Sequence, residues 1–207
     1  MRRTLSIFIA ACALVAFATT GVYYASQQSD IQYSKGHKFF REGDYQDAIQ
    51  THEKNMEKNP SRLDVMRELA YSYQWSKNYA KAIETFRRIL QADPKDLKTK
   101  KALAETLSWN KEYPEAIRLY REVLAEKDSP ETRKNLAEVY LWSEDYKSSE
   151  SLLRDLLKND PKDTQAKFML AKTLQYAGRP EEAAVLFEDL LNEGPQSLDE
   201  NQPSKKP

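Results

Sequence analysis

NYAKAIETFRRILQADP, residues 78–94, decides the fold, because near-copies of it recur along the chain. DYQDAIQTHEKNMEKNP stands at 44–60, EYPEAIRLYREVLAEKD at 112–128, DYKSSESLLRDLLKNDP at 145–161 and RPEEAAVLFEDLLNEGP at 179–195. Their starts lie 34, 34, 33 and 34 residues apart. Self-similarity at such a period marks a repeat architecture. Within each copy apolar residues fall at i, i+3, i+4 and i+7, the spacing of an amphipathic helix. A second amphipathic stretch precedes each, as in LDVMRELAYSYQWS at 63–76 and ETRKNLAEVYLWS at 131–143. The repeating unit is therefore a pair of helices.

Small residues recur where the two helices of a pair must cross. Ala82 and its equivalents Ala48, Ala116, Ser149 and Ala183 allow the axes to approach to about 8–10 Å. Pro60, Pro94, Pro161 and Pro195 close the second helices, since proline cannot extend a helix. Pro114, Pro130 and Pro180 sit at expected first-turn positions, where a missing N–H costs nothing. One helix pair cannot bury its own apolar face, whereas five stacked pairs build a continuous core.

The pattern resembles the tetratricopeptide-repeat family over residues 30–195. In the first helices its large–small–large signature is carried by Leu69, Ala70 and Tyr73; Leu103, Ala104 and Leu107; Leu136, Ala137 and Tyr140; and Leu170, Ala171 and Leu174. The first repeat offers Gly36 and Phe39, with Lys35 in place of leucine. The second helices carry Tyr45 and Ala48; Tyr79, Ala82 and Phe86; Tyr113, Ala116 and Tyr120; Tyr146 and Ser149; and Ala183 and Phe187. His52 and Leu153 depart at the aromatic position, and Asp128 replaces the closing proline. The resemblance implies an all-α, right-handed α-solenoid of five helix-turn-helix repeats at about 30–60, 63–94, 97–128, 130–161 and 164–195.

The chain begins differently. Residues 5–25, LSIFIAACALVAFATTGVYYA, have no charged side chain and follow Arg2 and Arg3, the pattern of a signal peptide or a membrane anchor. A cleaved signal would use the small residues Ala16 and Ala18. A retained anchor of that length would rise about 31 Å, one hydrocarbon thickness, with Tyr23 and Tyr24 at the interface. Both readings stand, and both leave residues 26–207 outside the cytoplasm. Residues 196–207, rich in proline and polar side chains, read as a disordered tail after the solenoid of 26–195.

Composition narrows the function. Thirty-two basic and 32 acidic residues give zero formal charge, with no clustered basic face for nucleic acid. One cysteine, Cys12, excludes an intrachain disulfide, and His37 and His52 lack zinc-site spacing. No phosphate loop or nucleophile elbow occurs. No enzyme activity, cofactor or metal is expected.

The resemblance instead implies a groove lined by the first helices. Trp75, Trp109, Trp142 and Tyr176 share one register near the ends of those helices, with Arg41 in the first repeat. Tyr33, His37, Arg67, Tyr71, Lys101, Glu105, Lys134, Glu138, Phe168 and Lys172 line the rest. The rings either pack between repeats or form a ladder on which a glycan or extended peptide could stack. In the last second helix Val185 replaces Gln50, Glu84, Arg118 and Ser151; with Leu186 it forms a candidate end interface for self-association or another protein. The tryptophan-containing repeats also resemble the periplasmic repeats of bacterial exopolysaccharide-export proteins, whose C-terminal outer-membrane barrel has no counterpart in these residues. The expectation is a non-catalytic envelope scaffold, tethered or exported through residues 5–25, that assembles a larger complex with protein partners. The alternative is a direct glycan- or peptide-binding module.

Overall fold

The structure, a computed structural model, describes residues 2–192, without the side chains of 2–18, 21, 22 and 25. The expected export segment at 1–25 falls almost wholly on those side chains, and the tail at 196–207 falls beyond residue 192. Most of the first segment's side chains, and the whole of the tail, lie outside what the structure describes. Among the described residues no helix is long and apolar enough to cross a membrane.

The described elements are all helical. They run α1 (Arg2–Glu42), α2 (Tyr45–Lys58), α3 (Leu63–Trp75), α4 (Tyr79–Ala92), α5 (Leu97–Trp109), α6 (Tyr113–Glu126), α7 (Pro130–Trp142), α8 (Tyr146–Asn159), α9 (Thr164–Tyr176) and α10 (Pro180–Asn192). In chain order these make five helix pairs. The chain divides into two compact units, Met1–Asn78 and Tyr79–Pro207. In the first unit α2 packs against α1 and α3; in the second each helix from α4 to α10 packs against the next. First helices also meet one another, α1 with α3 in one unit, α5 with α7 and α7 with α9 in the other.

The turn inside each pair takes one form. A residue with positive φ follows the first helix: Gly43 (84°), Lys77 (63°), Lys111 (64°), Glu144 (63°) and Gly178 (78°). The next amide then reaches back to close the helix end, as Asn78 N–H to the Tyr73 carbonyl (2.8 Å) and Glu112 N–H to the Leu107 carbonyl (2.8 Å). This is the Schellman-type stop, which favours glycine because other residues are strained there. Three of the five turns nonetheless use Lys or Glu.

The small residues read from the sequence are the tightest points of the core. Ala48, Ala82, Ala116 and Ser149 have no exposed surface, nor do Ala70, Ala104, Ala137 and Ala171. Ser149 keeps its hydroxyl satisfied by donating to the Ala137 carbonyl (2.9 Å), with the Thr173 hydroxyl 3.0 Å away. Where Asp128 replaces the closing proline, Arg133 grips its carboxylate with two N–H groups, at 2.7 and 2.5 Å. That ion pair holds the Asp128 carboxyl below its ordinary range.

Candidate functional site

The face formed by the first helices is built differently in the two units. In the second, its charges are tied between helices. Lys101 on α5 contacts Glu131 on α7 at 2.7 Å, and Lys134 on α7 contacts Asp163, which caps α9, at 3.0 Å. The second pair is mostly sheltered, with both side chains under a fifth exposed. Phe168 packs edge-on against Phe187, with centroids 6.0 Å apart, and the Lys172 ammonium lies 5.7 Å from the Phe168 ring. Beneath this face Tyr120 is buried. Burial first, then the fields of Glu105, Glu138 and Glu131, push its phenol well above the ordinary range.

The tryptophan register has a structural partner in each unit. The opening tyrosine of a second helix lies against the closing tryptophan of the first helix that comes after it. Tyr45 and Trp75 stack with centroids 6.4 Å apart and planes 20° apart. Tyr79 and Trp109 sit 5.9 Å apart, tilted by 53°. Trp109 and Trp142 are half-buried, Trp75 is 38% exposed and Tyr176 is 62% exposed. Arg67 and Tyr71 are half-buried on α3. Each ring of the two pairs therefore packs against the neighbouring repeat and still shows an edge or a face to solvent.

In the first unit the corresponding face holds a polar cluster not assembled from the sequence. Glu68 on α3 accepts the Tyr33 hydroxyl at 2.9 Å, and the same oxygen lies 2.6 Å from His37 Nδ1, both from α1. Its other oxygen lies 3.2 Å from Nε2 of the wholly buried His52 on α2. Burial pushes the Glu68 carboxyl up, but the bonds from His52, His37 and Tyr33 outweigh it, and the net shift is downward. Burial, and after it the Glu68 bond, pushes the Tyr33 phenol up to about 12. Arg62 covers the Tyr33 ring at 5.2 Å and pairs with Asp30 (2.6 Å) and Asp64 (2.9 Å). The signal was present: both histidines of the chain fall in the first repeat, one in an aromatic slot. Among the described residues no group of three His, Cys, Asp or Glu side chains is arranged to hold a metal ion.

The candidate end interface divides. Val185 is 66% exposed, as its polar equivalents in the other repeats are exposed. Leu186 turns inward and packs on the cluster of Leu170, Leu174 and Ala183. Adjacent helical residues are about 100° apart, so the two side chains have different surroundings.

The tetratricopeptide-repeat profile matches residues 39–106, 110–173 and 143–200. A search of curated protein sequences finds no match. Among solved structures the chain is similar to MamA (AMB-1) at 20% identity, covering 83% of this chain and 95% of that one, with a TM-score of 0.66. It is similar also to a tetratricopeptide repeat protein from Parabacteroides merdae, at 19% identity, 82% and 68% coverage and a TM-score of 0.72. A MamA double mutant (RS-1) gives 14% identity, 79% and 93% coverage and a TM-score of 0.70. At these identities the structural likenesses speak for the fold alone. The profile spans most of the residues in which the small-residue crossings and the common turn recur, and the chain belongs to the tetratricopeptide-repeat family.

Proposed function

We propose that this protein is a non-catalytic scaffold of the cell envelope that binds protein partners through the face of its first helices. Membership of a family whose domains typically bind proteins carries the reading. The site's chemistry supports it: half-buried rings and sheltered ion pairs give a preformed, mixed surface suited to a polypeptide. Residues 5–25 export the repeats or tether them to the membrane, and 26–207 face the periplasm or the exterior. The likeness of repeat style to exopolysaccharide-export proteins makes assembly of a polysaccharide-export complex the specific role we favour.

Affinity capture with the full chain from solubilised membranes tests this reading. Wild type should retain a partner that Arg67→Ala with Tyr71→Ala loses at unchanged helical content. Retention by the double variant would remove that face from the mechanism. A reporter active only outside the cytoplasm, fused after Pro195, should be active; an inactive fusion rejects the topology. Direct binding of a glycan or extended peptide is the second reading, favoured by the open ring surface of Trp75 and Tyr176. There Trp75→Ala would weaken polymer binding without loss of the protein partner.

A further inference from the structure

The turn between α1 and α2 opens into a hollow of about 370 Å³, lined by Gly43, Asp44, Tyr45, Gln46, Asp47 and Ser76. One wall is aromatic. Tyr45 stacks on the exposed Trp75, and Phe40 meets the Tyr45 ring edge-on with centroids 5.8 Å apart. The wall also ends a row on α3. Arg67, Tyr71 and Trp75 stand four residues apart, so they follow one another along the helix face that holds the partner in the proposed function.

Elsewhere in the chain the carboxylates of this turn are engaged. Asp145, in register with Asp44, accepts the Ser148 amide at 3.1 Å, and Glu112 accepts from the Asn110 side chain at 2.6 Å. Glu115, in register with Asp47, pairs with Arg87 at 2.7 Å, and Glu182 pairs with Arg179 at 2.6 Å. In the first repeat they are not. Asp44 opens α2 without capping it, and among the described residues neither its carboxylate nor that of Asp47 meets a donor or a cation. Both are exposed. The Ser76 hydroxyl already donates to the Tyr73 carbonyl (3.0 Å), so acceptors outnumber donors among the side chains of the hollow. A sugar, which needs both, is poorly served there. A guanidinium suits the wall and the rim together: its plane lies on an aromatic face while its N–H groups fork onto carboxylates.

We propose that this hollow seats an arginine side chain of the bound polypeptide, laid against the Tyr45–Trp75 pair and held by Asp44 and Asp47. The proposal rests on the reading of the first-helix face as a protein-binding surface and adds the chemistry of the partner. That partner presents an exposed arginine at the Trp75 end of α3.

The probe is an acetylated and amidated Ala-Arg-Ala peptide, with a citrulline counterpart of the same shape and no charge, added to the full chain in detergent. Labelling with fluorotryptophan gives each of the three tryptophans a fluorine NMR signal, and Trp75→Phe assigns one of them. The arginine peptide should shift the Trp75 signal saturably and leave those of Trp109 and Trp142 in place. Asp44→Asn with Asp47→Asn should weaken that binding about tenfold at unchanged circular dichroism, and the citrulline peptide should not bind. No saturable shift, a shift of all three signals alike, or equal binding by the double variant would overturn the proposal. So would a Trp75 shift produced by cellohexaose and not by the arginine peptide. Capture from membranes separates this proposal from the one it rests on. A partner lost by Arg67→Ala with Tyr71→Ala but kept by Asp44→Asn with Asp47→Asn would overturn the arginine seat and leave the scaffold standing. Wild type that captures nothing would reject the scaffold, while the peptide titration still decides the hollow.

Discussion

One slot in the second helix is filled in two ways. In the second unit it holds Phe86, Tyr120 and Leu153, each closed from solvent, and the half-buried Phe187 of the last repeat; in the first unit it holds His52, fully closed. The apolar version needs only good packing, and alanine serves opposite it in the first helices. The polar version needs Glu68 from α3 beside the imidazole and glycine at position 36. A β-carbon on Gly36 would lie within 3.0 Å of the His52 ring, where Ala70, Ala104 and Ala137 are the residues in register. The same backbone thus supports a forgiving, apolar joint and a demanding, polar one, and the demands fall on three helices at once.

The largest expected effect lies on the apolar side. Tyr120→Ala should cost about 3–5 kcal/mol, as for other buried aromatics, read as a fall in the urea midpoint; a loss below about 1 kcal/mol would mean the slot collapses freely. On the polar side, Glu68→Ala should cost about 1–2 kcal/mol by leaving the part-buried Tyr33 hydroxyl and His37 ring without their shared acceptor. Glu68 also gives the pair a pH signature. Its carboxyl is lowered on folding, so its contribution is complete above the unfolded carboxylate value and is lost as pH falls through the folded one. Wild type should therefore lose its advantage over Glu68→Gln on acidification below about pH 5; parallel curves would contradict the assignment.

Gly36→Ala sharpens the comparison further. Helix propensity alone favours alanine by about 1 kcal/mol, yet the clash with His52 should turn this into a loss of about 1–3 kcal/mol. Adding His52→Leu should recover most of it, since Leu153 fills the same slot beside alanine in the fourth repeat. Trp109→Ala should cost about 1–2 kcal/mol, less than a fully buried ring, because Tyr79 covers only part of the indole. The smallest effect is a gain. Glu144→Gly should raise stability by about 0.5–1 kcal/mol by removing strain at φ 63°; a loss would show that the Glu144 side chain contributes to the turn.

The helix pairs were legible because period, small crossings and prolines all act locally, and each names its own position. The turn residues were not read from the sequence: Gly43 and Gly178 carry the usual signal for a left-handed backbone, whereas Lys77, Lys111 and Glu144 carry none, and their conformation is set by the helices they join. The aromatic register could be read, but not its burial, which depends on a tyrosine one repeat away. Leu186 looked like part of an end patch because its inward direction depends on the phase of α10 against α9. Glu68 was hidden for a plainer reason: carboxylates are everywhere on these helices, and only the fold brings this one to both histidines.

The common turn also determines where the chain can change length. The one 33-residue interval lacks its residue between Glu126 and Ser129, in the loop joining one pair to the next, while the turn at Glu144 keeps the form of its neighbours. A residue removed inside a helix would rotate everything after it by about 100° and carry its apolar stripe into water. Removed in the loop, it is absorbed by the Arg133–Asp128 pair that takes the proline's place. Insertions and deletions should therefore be tolerated between pairs and rejected within them, so that evolution can edit this chain by whole repeats or by single loop residues, with little in between.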